Sequence, residues 1–311
     1  MALAVIALIG LPPAARDVRA TTTADSRSGG LVLVAPSLAM TSSTATQQLI
    51  QSLDQLVGRS PMTLTSSVAP LVTGSGASVG VSLIELGGAS PLAWSYDNHQ
   101  VFTAASTYKL VALMMEAQNI AAGITDPTGL VCYEDGDYED GWYDDYQAGA
   151  CFTRNELAQR AGLMSDNTAG HMLVRDVGGS DALNAWAASL GTTESDFFTD
   201  NSTSAHDLAV LWSAEAKGTL GGAVAQAWLY PMLTGTRVES GIPAGVAGRS
   251  TVVHKIGTID LVDNDAALVV SGPNGPYVLV VMTDNLGGDA GWQLIASISS
   301  AVWNFEAARA T

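Results

Sequence analysis

"TAASTYKLVALMM", residues 103–115, sets a hydroxyl, Ser106, three positions before an amine, Lys109, at the head of an otherwise apolar run. Residues three apart on a helix share a face, so these two side chains meet. Ser106 stands where the helix begins, beside backbone N–H groups without intrahelical partners and the positive end of the dipole. Serine is a weak nucleophile until a neighbour takes its proton. A lysine does that once burial, which disfavours the ammonium, lowers its pKa. Leu110, Val111, Leu113, Met114 and Met115 are the dry setting this chemistry needs. On this tetrad alone, an N-capping serine and a snorkelling lysine are the better reading.

The surrounding pattern gives the fold. "TQQLIQSLDQLV" (46–57) has helical spacing. "ASVGVSLIEL" (77–86) and "PLAWSYD" (91–97), separated by "GGAS", read as a β-hairpin. Helices are expected over 106–118, 153–163, 166–177, 180–189, 204–217 and 221–233; Thr153 and Glu156 form a capping box for the second. Strands return over 250–257, 263–272 and 276–284, the last two joined by a "GPNG" turn, and a helix over about 288–308 closes the chain. Strands at both ends and helices between them imply an α+β architecture. The expected form is an antiparallel five-stranded sheet flanked by N- and C-terminal helices, plus an all-α lobe, with a site in the cleft. The α/β lobe is assigned to 46–104 and 237–311 and the all-α lobe to 105–236, together one catalytic domain.

The 311 residues carry a net charge of −17, from 13 basic and 30 acidic side chains, which argues against nucleic acid and anionic membrane surfaces as partners. Residues 1–45 read as a signal-like or disordered segment: an apolar run over 1–11, then Pro12, Pro13 and small residues, without a basic start. Export to the periplasm or outside the cell is the expectation. The two cysteines, Cys132 and Cys151, bracket an acid- and tyrosine-rich loop. In an exported protein one disulfide is the economical reading, stabilising by about 3 kcal/mol on the loop-entropy estimate; two free thiols are the alternative.

Two further motifs change the weight of Ser106 and Lys109. Ser165-Asp166-Asn167 opens an expected helix, and Lys255-Ile256-Gly257-Thr258 ends an expected strand. Ser-x-x-Lys, Ser-Asp-Asn and Lys-Thr-Gly are the signature set of penicillin-recognising serine enzymes, here with the third changed at its middle position. The chain therefore resembles a class A β-lactamase or a close relative, over about residue 46 to the end. "FTAASTYKL", "CFTRNELAQRAGLMSDNTAGHML" and "HKIGTID" carry the likeness.

The resemblance implies a two-lobed serine hydrolase that cleaves an amide or ester through an acyl-Ser106 intermediate, without a cofactor or metal. Lys109 would be the base or proton relay and Ser165 the donor to the leaving amine. Asn167 would hold the substrate amide, with Lys255, Gly257 and Thr258 along the substrate. The N–H groups of Ser106 and Thr258 would form the oxyanion hole. Asp166 is expected to tie down the loop before its helix. The implied partner is a small molecule, a β-lactam or D-Ala-D-Ala-like peptide, bound by a monomer, with antibiotic resistance as the setting.

Two departures qualify this. The Glu-x-x-x-Asn pattern of the class A deacylating base is missing from 189–206; Glu194, Asp196 and Asp200 are candidates only by proximity in sequence. Slow release of the acyl group is the expectation. Ile256 offers no hydroxyl to a substrate carboxylate, so Thr258, two residues along on the same face, or Arg237 would bind it. His254 is expected to pack on the opposite side.

Rival sites are weaker. Gly76-Ala77-Ser78-Val79-Gly80 lacks the strand-before, helix-after setting of a nucleophile elbow. The loop from Asp135 puts its glycine, Gly141, one place late for a calcium loop and has no glutamate at the final ligand position; Trp142, Tyr143 and Tyr146 in it are candidates for substrate contact. No second Cys or His pair sits at zinc-ligand spacing.

Overall fold

The computed structural model describes residues 60–310. The segment 1–45 and the helix expected over 46–57 lie outside the described residues.

The chain runs α1 (Pro61–Ser75), β1 (Ser78–Glu85), β2 (Ala93–Tyr96), β3 (Val101–Thr103), α2 (Tyr108–Ala121), β4 (Leu130–Cys132) and β5 (Cys151–Thr153). It continues through α3 (Arg154–Leu163), α4 (Asn167–Asp176), α5 (Gly179–Ser189), β6 (Ser202–Ser204), α6 (Ala205–Ala216) and α7 (Gly222–Met232). Last come α8 (Ile242–Val246), β7 (Val252–Ile259), β8 (Val262–Gly272), β9 (Gly275–Asp284) and α9 (Asp289–Arg309). A 3-10 turn, Ala105–Thr107, leads into α2.

The five long strands form an antiparallel sheet in the order β2-β1-β9-β8-β7. β9 is central, and its period-2 alternation serves two cores. Tyr277, Leu279 and Val281 face Leu64 and Val68 of α1 and Ile295, Ile298 and Val302 of α9. Val278, Val280 and Met282 face Leu110 and Leu113 of α2 and Leu208 and Trp212 of α6. Fully burying one such aliphatic side chain stabilises by about 1.5–3 kcal/mol.

The helix starts follow their caps: Thr153, Asp166 and Ser204 accept from the N–H groups of Glu156, Ala169 and Asp207. α1 has no counterpart among the expected elements. Its Thr, Ser, Gly and internal Pro70 are poor helix formers. The tertiary seat of Leu64, Val68 and Val72, spaced four apart, holds it instead.

Two ribbons of three-residue strands complete the frame. β4 pairs with β5 so that Cys132 lies directly opposite Cys151, and the two form a disulfide that closes the acidic loop. β3 pairs with β6, and Ala104 N, just past β3, donates to Asn201 O at 2.7 Å. No helix among the described residues is long and apolar enough to cross a membrane.

Candidate active site

The 3-10 turn before α2 presents Ser106. Its predecessor Ala105 holds φ +48°, a left-handed conformation that costs a side-chain-bearing residue about 1–3 kcal/mol. Lys109, one turn along, is fully buried, and each of its donors has an acceptor. Nζ donates to Ser106 Oγ at 3.0 Å, Ser165 O at 2.7 Å and Asn167 Oδ1 at 2.6 Å. Burial lowers its pKa to about 8, against the opposing pull of Glu139 and Asp166. Gly170 on α4 makes the space: a Cβ there would lie 2.7 Å from Lys109 Cε.

Ser165 precedes α4 in a second left-handed conformation, φ +59°. Its hydroxyl accepts from Lys255 Nζ at 2.9 Å, and the same Nζ donates to Ile256 O at 2.8 Å. Burial, and then the nearby charge of Lys109, push the Lys255 pKa far down, with Asp265 opposing. Asp166 ties the region together: Oδ1 accepts from Ala169 N and the Tyr146 hydroxyl, and Oδ2 from Trp142 N. Asn167 Nδ2 donates to Glu139 Oε1 at 2.8 Å and Asp140 O at 3.2 Å.

β7 is an edge strand, with one row of main-chain groups not claimed by a neighbouring strand. It packs against the Ser106 turn because Gly257 has no side chain: a Cβ there would meet Ala104 O at 2.5 Å and Thr107 N at 3.0 Å. Ser106, Ser165, Asn167, Lys255, Ile256, Thr258 and Arg237 all line one cavity of about 200 Å³. The Arg237 guanidinium lies 3.4 Å from the ring centroid of Trp142, also in the lining, an arrangement that fixes a cation at the rim.

The sequence profile of the β-lactamase enzyme family matches residues 63–305. The chain belongs to the β-lactamase enzyme family. No curated protein matches it. Among solved structures, it is similar to a Leu-to-Glu variant of PBP-A in an acyl-enzyme complex with penicillin G. That match has 26% identity and a TM-score of 0.71, and it covers 77% of this chain and 94% of that one. PBP-A itself gives 25% identity and TM-score 0.69, covering 77% and 95%. A β-lactamase from Sphaerobacter thermophilus DSM 20745 shares the fold, at 24% identity and TM-score 0.68, covering 78% and 97%. The protein is a β-lactamase-like serine hydrolase by family and fold.

Within this β-lactamase-like site, the segment 192–201 brings no acid to Ser106. Glu194 bonds His99, Thr193 and Ser204. Asp196 accepts from Asn184, and Asp200 is exposed. The segment delivers Phe198, at φ +76°, and Asn201 to a second cavity of about 460 Å³ that Ser106 also lines. The Phe198 ring packs edge-on against Tyr108 and His171. Among the described residues lining either cavity, Glu139 is the one carboxylate. Both its oxygens are engaged, Oε1 by Asn167 and Oε2 by His171 Nε2 at 2.9 Å.

The aromatic candidates of the acidic loop separate. Trp142 lines the cavity, whereas Tyr143 and Tyr146 pack on the Arg160 guanidinium. His254 is buried between Asp265 and Glu239 and takes no part in the cavity. Glu139 and Phe198 carried no sequence signal, because each reaches Ser106 only through folding of a distant loop.

Proposed function

We propose that the protein hydrolyses a β-lactam or a D-Ala-D-Ala-like amide through an acyl-Ser106 intermediate and releases the acyl group slowly. The observation that carries this is the 3.0 Å contact between Ser106 Oγ and the buried Lys109 Nζ, whose pKa, lowered by burial to about 8, leaves a working fraction of neutral amine at physiological pH. As Oγ attacks the substrate carbonyl, Lys109 takes its proton. The developing oxyanion faces the N–H groups of Ser106 and Thr258. As the C–N bond breaks, the Ser165 hydroxyl gives its proton to the leaving nitrogen, with Lys255 at 2.9 Å as the relay partner. Asn167 holds the substrate amide, and Thr258 and Arg237 take the carboxylate that Ile256 cannot bind. The penicillin G acyl-enzyme of the PBP-A variant supports the substrate class. The disulfide fits an exported protein.

A second reading, a penicillin- or peptidoglycan-binding module that acylates and stalls, is favoured by the 192–201 segment contributing Phe198, and no carboxylate, to the cavities that Ser106 lines. A carboxypeptidase or esterase with the same machinery is the third. Mixing the protein with a labelled penicillin and a chromogenic cephalosporin separates them. Sustained colour release identifies a β-lactamase, and stable label without colour identifies the binding module. If neither appears, ester and D-Ala-D-Ala peptide substrates are the next assay. Ser106→Ala must abolish every signal; activity that survives it sinks the assignment.

A further inference from the structure

Two of the chain's four histidines meet across the small ribbon below the loop that carries Phe198. Val101 pairs with Ser204, and continuing that register by two residues sets His99 opposite His206. Their rings stack with centroids 4.3 Å apart. Glu194 enters from the loop: its Oε1 lies 3.1 Å from His99 Nδ1 and its Oε2 3.6 Å from His206 Nδ1. One donor atom from each of the three residues falls within 4.8 Å of the others. Donors around a tetrahedral zinc lie roughly 3.3 Å apart, so small side-chain rotations close this set around an ion.

The backbone beneath the cluster is already fixed. Buried Asp207 accepts from Thr193 N, Glu194 N and the Ser195 hydroxyl, which places Glu194; its Oδ1 also lies 3.1 Å from His206 Nδ1, a contact that an ion on that nitrogen displaces. His206 N donates to Asn98 O, next to His99, at 2.9 Å. The side chains are 61%, 23% and 32% exposed for His99, Glu194 and His206, so an ion has a way in and room for a solvent ligand. Two imidazoles and a carboxylate suit zinc, and an open fourth position completes the tetrahedron.

We propose that His99 Nδ1, His206 Nδ1 and one oxygen of Glu194 bind a single Zn2+, with water as the fourth ligand. The ion joins three segments: the turn before β3, the first residues of α6 and the start of the loop that ends beside Ser106. It acts as a clasp on the base of that loop, and it stands independently of the hydrolase chemistry.

The test uses chelator-treated, full-length protein titrated with ZnCl2 in a calorimeter and with Co2+ by visible absorption. One equivalent of Zn2+ should bind, raise Tm, and be mirrored by a four-coordinate Co2+ spectrum. The double variant His99→Ala/His206→Ala should bind at least about 100-fold more weakly and lose the Tm shift, with Glu194→Gln about 10-fold weaker. His99→Ala alone, at the most exposed of the three positions, keeps the test valid if the double variant does not fold. Absence of binding at about millimolar Zn2+, or undiminished binding by the variants, would overturn the site.

Discussion

Lys109 and Lys255 converge on one residue: the first donates to the carbonyl of Ser165 at 2.7 Å and the second to its hydroxyl at 2.9 Å. Burial and then the charge of Lys109 push the Lys255 pKa down. In the proposed mechanism acylation requires the neutral form of Lys109, whose pKa burial lowers to about 8. Penicillin acylation should therefore rise by about tenfold per pH unit below about 8 and level off above it. Lys109→Arg, which stays protonated, should slow acylation by about 10²–10⁴-fold. Stopped-flow acylation across pH checks both, and a flat profile below neutrality contradicts Lys109 as base.

The approach of β7 to the nucleophile depends on a missing Cβ. Gly257→Ala sets a methyl 2.5 Å from Ala104 O, a backbone atom that yields only if the strand moves. Such overpacking costs about 1–3 kcal/mol. The displaced Thr258 N–H should lower the second-order acylation rate by about 10–100-fold, less than the 10²–10³-fold that follows outright loss of one oxyanion donor. Acylation kinetics and Tm, measured together, separate the two effects.

Phe198 lines the same 460 Å³ cavity as Ser106, so a base at this position is the simplest test of whether deacylation lacks one. Phe198→Glu asks no new backbone conformation, since the position already holds φ +76°. A carboxylate there should shorten the penicilloyl-enzyme lifetime by about tenfold or more, short of the full 10²–10⁴ of an oriented base. Intact-mass spectrometry follows the decay. Phe198→Gln, of similar shape but unable to take a proton, should leave the lifetime near that of the parent.

His254 predicts a pH-dependent stability. Burial alone would lower its pKa, but Asp265 at 2.9 Å and Glu239 at 3.1 Å outweigh this and raise it to about 9. The folded form thus holds the proton more tightly than the unfolded chain. The stabilisation is complete below about pH 6.5 and is lost as pH rises through about 9, a span of about 3 kcal/mol. His254→Asn should lower stability at acidic pH and flatten this slope. Urea midpoints of both proteins at about pH 6 and 9 measure the difference, which cancels the opposite, more alkaline contribution of Lys109.

Much of this molecule was legible in its sequence, for physical reasons that also mark where legibility ends. Long strands such as 276–284 and capped helices such as the one after Thr153 announce themselves through local periodicity and side-chain caps. The grouping of Ser106, Ser165, Asn167, Lys255 and Thr258 around one cavity, with Lys109 buried behind Ser106, is legible because the motif residues sit on rigid elements. α1 was missed because its helicity comes from packing. The ribbons β3–β6 and β4–β5 are too short to show alternation. Glu139, Phe198 and the His99–Glu194–His206 cluster depend on loop paths and cross-strand register, which no window of neighbouring residues encodes.

The bond from Ala104 N to Asn201 O has a consequence for engineering this scaffold. It joins the exit of the 192–201 loop to the peptide just before Ala105, whose left-handed twist aims Ser106. Loop length and nucleophile aim are therefore one design variable. A longer loop bearing its own base can be grafted only if it returns to Asn201 with the Ser202–Ser204 register intact. A graft that slips by one residue would mis-set the serine before its new base met any substrate.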